Sequence, residues 1–447
     1  MHLVGVAIAK VGSTLLKKLS EQKPQDSKLS FFPKAPAKPE ELDIPESMAE
    51  DLMLRYLYTK GASTLRELSR SIKLSFPLLH TLFQRLRQQQ LFEITGMDGN
   101  DYTFTLSGIG REQAAKRLLT CHYIGPAPVS VFAYTAAVCS QNIRLAINHG
   151  LLKMALADLV LTNRFLDALG PALISQKSIF LYGPTGNGKT SVVSRLSRLH
   201  QDTIVIPYAV EVDGQVIVLY DPAVHEMVEA PLSDFDQRWV VCRRPCIIVG
   251  GELEPSMLEL QIEESSKVYA APIQMRANNG ILVIDDFGRQ IVSPMYLLNR
   301  WIVPLDRRVD YLTLRYGLKF QVPFELTVVF ATNLDPNDLA DEAFLRRIPN
   351  KIYVDAVNND IFDRIFARVV KERRLACDPD AATFFRNLCL EMGGELRACQ
   401  PADVLNTLVS ISEFEGTEPQ INPESLTRAA GLYFAKPRDM RNSDFRR

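Results

Sequence analysis

The sequence predicts an α/β protein: a parallel-sheet core, preceded by a small domain of helices and a hairpin and followed by an all-helical segment. Three observations predict this. From Ser178 to about Val354 short apolar runs alternate with helical patterns, as strands and crossover helices do. Before that, residues 45–122 hold three helical stretches and two short alternating runs. After it, residues 357–435 show helical periodicity only.

The length of 447 residues suggests about three domains at ~150 residues each. Hydrophobic residues make up 47% and charged residues 23%, enough for a large core. With 51 Lys+Arg against 52 Asp+Glu the net charge is -1, so bulk charge argues for neither nucleic acid nor a membrane surface. Seven scattered cysteines make no disulfide framework. Cys242 and Cys246 lie close, but no second pair or histidine cluster completes a metal set. The apolar start, Met1–Lys10, lacks a basic n-region and a cleavage site, and no run reaches the ~18 apolar residues of a spanning helix. The expectation is a cytoplasmic protein with free thiols.

In chain order, residues 1–44 are expected to be flexible, because 21–45 are rich in Pro, Lys, Ser and Glu. In 45–122, helical patterns cover Met48–Lys60, Ser63–Lys73 and Ser75–Gln90. In the third, Leu79, Leu82, Phe83 and Leu86 form one apolar stripe. Runs Leu91–Thr95 and Tyr102–Leu106 flank the turn Met97-Asp98-Gly99-Asn100, and a helix follows over Gly110–Leu119. This unit resembles a winged helix-turn-helix domain. His80, Thr81, Gln84 and Gln88, with Arg85 and Arg87, could reach DNA, while Asp98 and Asp101 at the hairpin tip oppose phosphates, so protein docking is favoured. Residues 123–142 read as a connector, 143–356 as the α/β core, 357–435 as helices and 436–447 as a basic tail.

The chemistry begins with Gly183-Pro184-Thr185-Gly186-Asn187-Gly188-Lys189-Thr190, then Ser191, between the apolar strand Ser178–Tyr182 and a helix. Glycines let backbone N–H groups turn inward around phosphates, Lys189 reaches the β- and γ-phosphates, and Thr190 ligates Mg²⁺. A second run, Ile281-Leu282-Val283-Ile284, ends in Asp285-Asp286, where a strand's C-terminal carboxylate meets ligands. A third, Leu326–Phe330, ends in Ala331-Thr332-Asn333, whose amide could orient water. Asp341-Glu342-Ala343-Phe344-Leu345-Arg346-Arg347 carries two adjacent arginines, candidates for a finger on a transferring phosphoryl group.

In this order the segments resemble the AAA+ ATPases, over about residues 145–435. The resemblance implies ATP and Mg²⁺ as ligands, a P-loop core, a helical lid and a ring of subunits, hexameric in that family's manner. It makes Asp285 the Walker B aspartate and Asn333 sensor 1. It makes Arg347, or Arg346, the finger reaching a neighbour's ATP, and Arg397 in Gly393-Gly394-Glu395-Leu396-Arg397 a candidate sensor 2. Asp286 stands where many relatives carry a water-polarising glutamate one methylene longer. From Thr190 to Asp285 is 95 residues, room for inserts with a hairpin at Asp213-Gly214 and a further segment Gly251–Ala271. Ala271–Gly280, and a second hairpin turning near Tyr316-Gly317, are similar to chelatase-like, enhancer-binding and MoxR-like members. The whole chain looks like bacterial predicted ATPases with chaperone activity. Two readings follow: a remodelling enzyme acting on a protein client recruited by residues 45–122, or a DNA-associated ATP switch.

Overall fold

The computed structural model describes residues 30–99, 101–142, 147–229, 234–339 and 342–434. The expected flexible stretch up to residue 29, Asn100 of the hairpin turn, Asp341 and the basic tail lie outside the described residues.

The N-terminal unit runs helix Glu46–Lys60, strand Ser63–Thr64, helices Leu65–Ile72 and Phe76–Gln88, strands Phe92–Asp98 and Asp101–Leu106, and helix Gly108–Thr120. Its helix Leu65–Ile72 starts where it does because Thr64 and Glu67 form a reciprocal capping box. The stripe of Leu79, Leu82, Phe83 and Leu86 is buried, against Phe92 and Phe104. Strand Asp101–Leu106 pairs antiparallel with both other strands, making a three-stranded sheet.

The central sheet has five parallel strands in the spatial order Cys246–Val249, Ile281–Ile284, Thr327–Thr332, Ile179–Tyr182, Asn350–Tyr353. The three inner strands are buried on both faces and read as unbroken apolar runs, while edge strand Asn350–Tyr353 exposes Lys351 and Tyr353. Their side chains still divide by parity. Phe180, Leu282, Ile284, Val328 and Phe330 pack on Trp301, Phe287 and Phe324. Ile179, Leu181, Ile281, Val283 and Val329 pack on Leu166, Leu169, Leu173 and Val192.

Beside this core the inserted segments share a second hydrophobic centre. A mixed sheet orders Gln261–Glu263, Val268–Ala270, Gln215–Val218, Ala209–Val212 and Val129–Ser130. Ribbon Thr203–Pro207 with Trp239–Arg243, and hairpin Val309–Thr313 with Lys319–Pro323, complete it around Tyr134, Ile217, Trp239, Tyr269 and Leu312. Both expected hairpin turns are present. Asp213 (φ 48°) and Gly214 (φ 76°) make the first a left-handed two-residue turn.

Two expectations for the first 142 residues differ from what is found. Residues 123–142 are more than a connector: they supply strand Val129–Ser130 and helix Val131–Ser140 to the second centre. Residues 30–44 are held by partners far away in sequence. Phe31 meets Trp239 (5.5 Å between centroids), Phe32 meets Phe235 (5.7 Å), and the Asp43 carboxylate accepts from buried Arg238 and from the Ser130 N–H, both at 2.7 Å. Composition alone could not show such partners.

The C-terminal helices are Asn359–Arg373, Ala381–Gly393, Gln400–Glu415 and Pro423–Tyr433, packed around Phe362, Phe366, Phe385, Leu405 and Leu426. A two-residue parallel pair, Ala376–Cys377 with Gln420–Ile421, corrects the reading as helices only; strands so short leave no periodicity. No helix among the described residues is long and apolar enough to cross a membrane.

Candidate functional site

The glycine-rich turn, Asp285, Asp286 and Asn333 lie at the C-terminal edge of the central sheet. Arg397 lies among the C-terminal helices, and Arg346 and Arg347 precede strand Asn350–Tyr353, whose start is level with Ile179 at the opposite edge. The register sets their levels. Tyr182 lies beside Thr332 on one side and Tyr353 on the other, so Gly183 and Asn333 leave the sheet together. Ile284 lies beside Phe330, which puts Asp285 level with Ala331, two residues below Asn333. Because the asparagine strand sits between the other two, Asn333 emerges between the glycine-rich turn and Asp285.

The glycine-rich turn needs its glycines. Gly183 has φ +140°, and a Cβ there would meet the Val354 carbonyl oxygen at 2.4 Å. Gly186 (φ +80°) would bring a Cβ within 2.7 Å of the Cys399 sulfur. The following helix, Lys189–Val193, is only five residues long, so anion binding there depends on turn amides more than on a long helix dipole. Lys189 is 9% exposed, and its Nζ donates to the Gly183 and Pro184 carbonyls at 2.8 and 2.9 Å. Burial lowers its pKa, opposed by the nearby Asp285 and Asp286 carboxylates. Thr190 and Thr185 are exposed beside it, and Ser191 is half-buried.

Asp285 is half-buried, its N–H donating to the Val249 carbonyl at 2.7 Å. Asp286 is exposed, in the left-handed region at φ +48°. Loop and strand are tied together: the Phe287 N–H donates to the Ala331 carbonyl, and the buried Thr332 hydroxyl donates to the Phe287 carbonyl, both at 2.7 Å. Among the described residues no group of three or more His, Cys, Asp or Glu could hold a metal. All seven cysteines are free, and burial pushes the Cys242 and Cys246 thiols up to about 12 and about 11.

The C-terminal helices reach this edge directly. The Cys399 N–H donates to the Gly186 carbonyl at 2.9 Å, and the Ala398 N–H to Asn187 Oδ1 at 3.3 Å. Arg397 packs its stem along Gly186 while its guanidinium turns to Glu395 at 2.8 Å. Of the two finger candidates, Arg347 is paired with Asp306 at 2.7 Å and Arg346 is exposed.

Residues 358–432, these same helices, match a family model described as Domain of unknown function (DUF8689). No curated protein matches the chain. Among solved structures, the Thermotoga maritima RuvB Holliday junction branch migration motor aligns at 14% identity over 65% of this chain and 72% of its own, with a TM-score of 0.33. NtrX from Brucella abortus aligns at 11% identity over 71% and 59%, with a TM-score of 0.36. At these scores the likeness is weak.

Three contacts had no signal in the sequence. Thr332 precedes a singled-out residue, but its bond to Phe287 depends on strand order. Asn187 lies in the motif, yet its contact with Ala398 joins segments 211 residues apart. Gln290, whose Nε2 donates to the Asp285 carbonyl at 2.6 Å, is one glutamine in a loop.

Proposed function

We propose that the chain is an ATP hydrolase of the AAA+ type, working between copies of itself. What supports this most is one arrangement: a complete phosphate-binding turn with Lys189 buried beside the paired carboxylates of Asp285 and Asp286. ATP's phosphates lie in the turn 183–190, where Lys189 exchanges its carbonyl partners for phosphate oxygens. Mg²⁺ suits donors that are few and all oxygen, since it keeps water and phosphate ligands. Thr190 and Asp285 would hold it, and it supplies charge neutralisation at the phosphates. Asp286 accepts a proton from water as the water oxygen bonds to the γ-phosphorus. The bond to the bridging oxygen breaks, and ADP leaves with that electron pair. Asn333 orients the water, and Arg397 follows phosphate occupancy from the helical lid.

The neighbour's finger is assigned to Arg346, because Arg347 is engaged within its own chain. That geometry calls for a closed oligomer, a hexamer in this reading. The client is a protein that meets the hairpin tips, whose mutual bonds favour motion as one body. Tyr316 donates to Asp213 at 2.5 Å, and Arg315 to Glu264 at 2.6 and 2.7 Å.

A DNA-associated switch is the second reading, and one observation favours it. Asp101, counted against a winged helix lying on phosphates, is 4% exposed and accepts the Arg66 N–H at 3.0 Å. Against it, Arg85 is engaged by Glu46 and Glu50. Titrating the full chain with duplex DNA at rising salt separates the two: affinity that falls steeply with salt and weakens in Arg87→Ala supports the switch.

Phosphate release and nucleotide binding test the primary reading. Lys189→Ala should cut turnover roughly 100-fold or more and weaken binding, while Asp286→Asn should bind ATP and fail to turn it over. A wild-type chain that does not bind ATP contradicts the proposal.

A further inference from the structure

Asp286 combines two unusual features. It is shorter than the glutamate its role invites, and its backbone is left-handed, a region that Asp and Asn tolerate better than longer side chains. The peptide leading into it is held on both sides. Its N–H donates to Asp285 Oδ1 at 3.0 Å, and its carbonyl, that of Asp285, accepts from Gln290 Nε2 at 2.6 Å. Gln290 Oε1 in turn accepts the Gly288 N–H at 2.9 Å, so one side-chain amide closes both ends of the turn 285–288. The far end of that turn is fixed independently by the bonds of Phe287 to Ala331 and Thr332. With that end fixed, the rotation left to restrain is that of the peptide between Asp285 and Asp286, and the Gln290 bond to its carbonyl does so.

We propose that Gln290 is a positioning residue for hydrolysis: its amide locks that peptide so that Asp286 holds its left-handed turn and its carboxylate faces the Lys189 side of the site. The proposal rests on the ATP-hydrolase reading above. It fits aspartate at this position, because Asp tolerates the left-handed region well. Gln290 touches neither phosphate nor water in this account. Its loss therefore leaves nucleotide binding intact and slows the chemical step.

The test is steady-state kinetics with equilibrium binding of ATP and thermal midpoints, on the full chain. Gln290→Ala and Gln290→Glu both remove the donor to the Asp285 carbonyl, and the second keeps the side chain's size. Each should lower kcat by up to about 100-fold with KM and ATP affinity within about twofold of wild type. In an Asp286→Ala background, Gln290→Ala should add less than about a twofold loss, because the group it positions is gone. Wild-type kcat in Gln290→Ala, or an equal loss in both backgrounds, overturns the role. Variants that unfold, or lose ATP binding in parallel with turnover, assign Gln290 to stability and overturn it too. A wild-type chain that binds ATP without turnover overturns the hydrolase reading itself, and this role with it.

Discussion

At the residue scale, buried polar groups show which charges the fold tolerates. Lys189 carries its ammonium into a buried place because two carbonyls accept from it and the nearby Asp285 and Asp286 carboxylates favour its charge. His200 has no such support. Its Nδ1 is buried without a partner among the described residues, and burial, aided by Arg244 and opposed by Asp202, lowers its pKa from 6.5 to about 4. In the unfolded chain it protonates near 6.5, while in the folded chain it stays neutral down to about 4. Stability is therefore unaffected by this group above 6.5 and falls as pH drops from 6.5 towards 4, by up to about 3 kcal/mol at ~1.4 kcal/mol per unit. Urea midpoints at pH 7 and pH 4.5 check this: His200→Gln should flatten the acid loss, and an unchanged slope would assign it to other groups.

At the element scale, the contact of the C-terminal helices with the glycine-rich turn is close enough to be broken by one methyl group. Gly186→Ala places a Cβ 2.7 Å from the Cys399 sulfur and strains φ +80°, so it should weaken the proposed nucleotide binding and loosen the C-terminal helices. Adding Cys399→Ala removes the clash and should recover part of the affinity, measurable by nucleotide titration. No recovery would leave the backbone angle as the whole cause. The elements themselves were largely legible. Apolar runs at 179–182, 281–284 and 327–332 announce a buried parallel sheet, and helical periodicity marks the four C-terminal helices. What escaped depends on pairs distant in sequence. Nothing near Phe31 names Trp239, nothing in the motif names Cys399, and nothing beside Asp286 announces its positive φ. Nor does motif position show that Arg347, named with Arg346 as a finger candidate, is engaged by the Asp306 carboxylate 41 residues earlier.

At the scale of the whole molecule, the inserts form a body that joins both ends of the account. The second centre takes its hairpin Val309–Thr313 with Lys319–Pro323 from just before the asparagine strand, and it touches the N-terminal unit through Ile44, Met48, Ala209 and Val216. A shift at Asn333 thus has a short covalent route to the hairpin tips proposed to meet a client. The site remains incomplete within one chain, because the exposed Arg346 is proposed to act on a neighbour's phosphate. Arg346→Ala should lower turnover by about 10³-fold or more while ATP binding persists. The most direct test mixes two inactive chains, Lys189→Ala and Arg346→Ala, and measures phosphate release. If sites are shared between copies, some interfaces pair an intact Lys189 with an intact Arg346, and an equal mixture should recover up to about a quarter of wild-type turnover. A mixture that stays inactive, beside an active wild type and demonstrated co-assembly, would contradict the shared site.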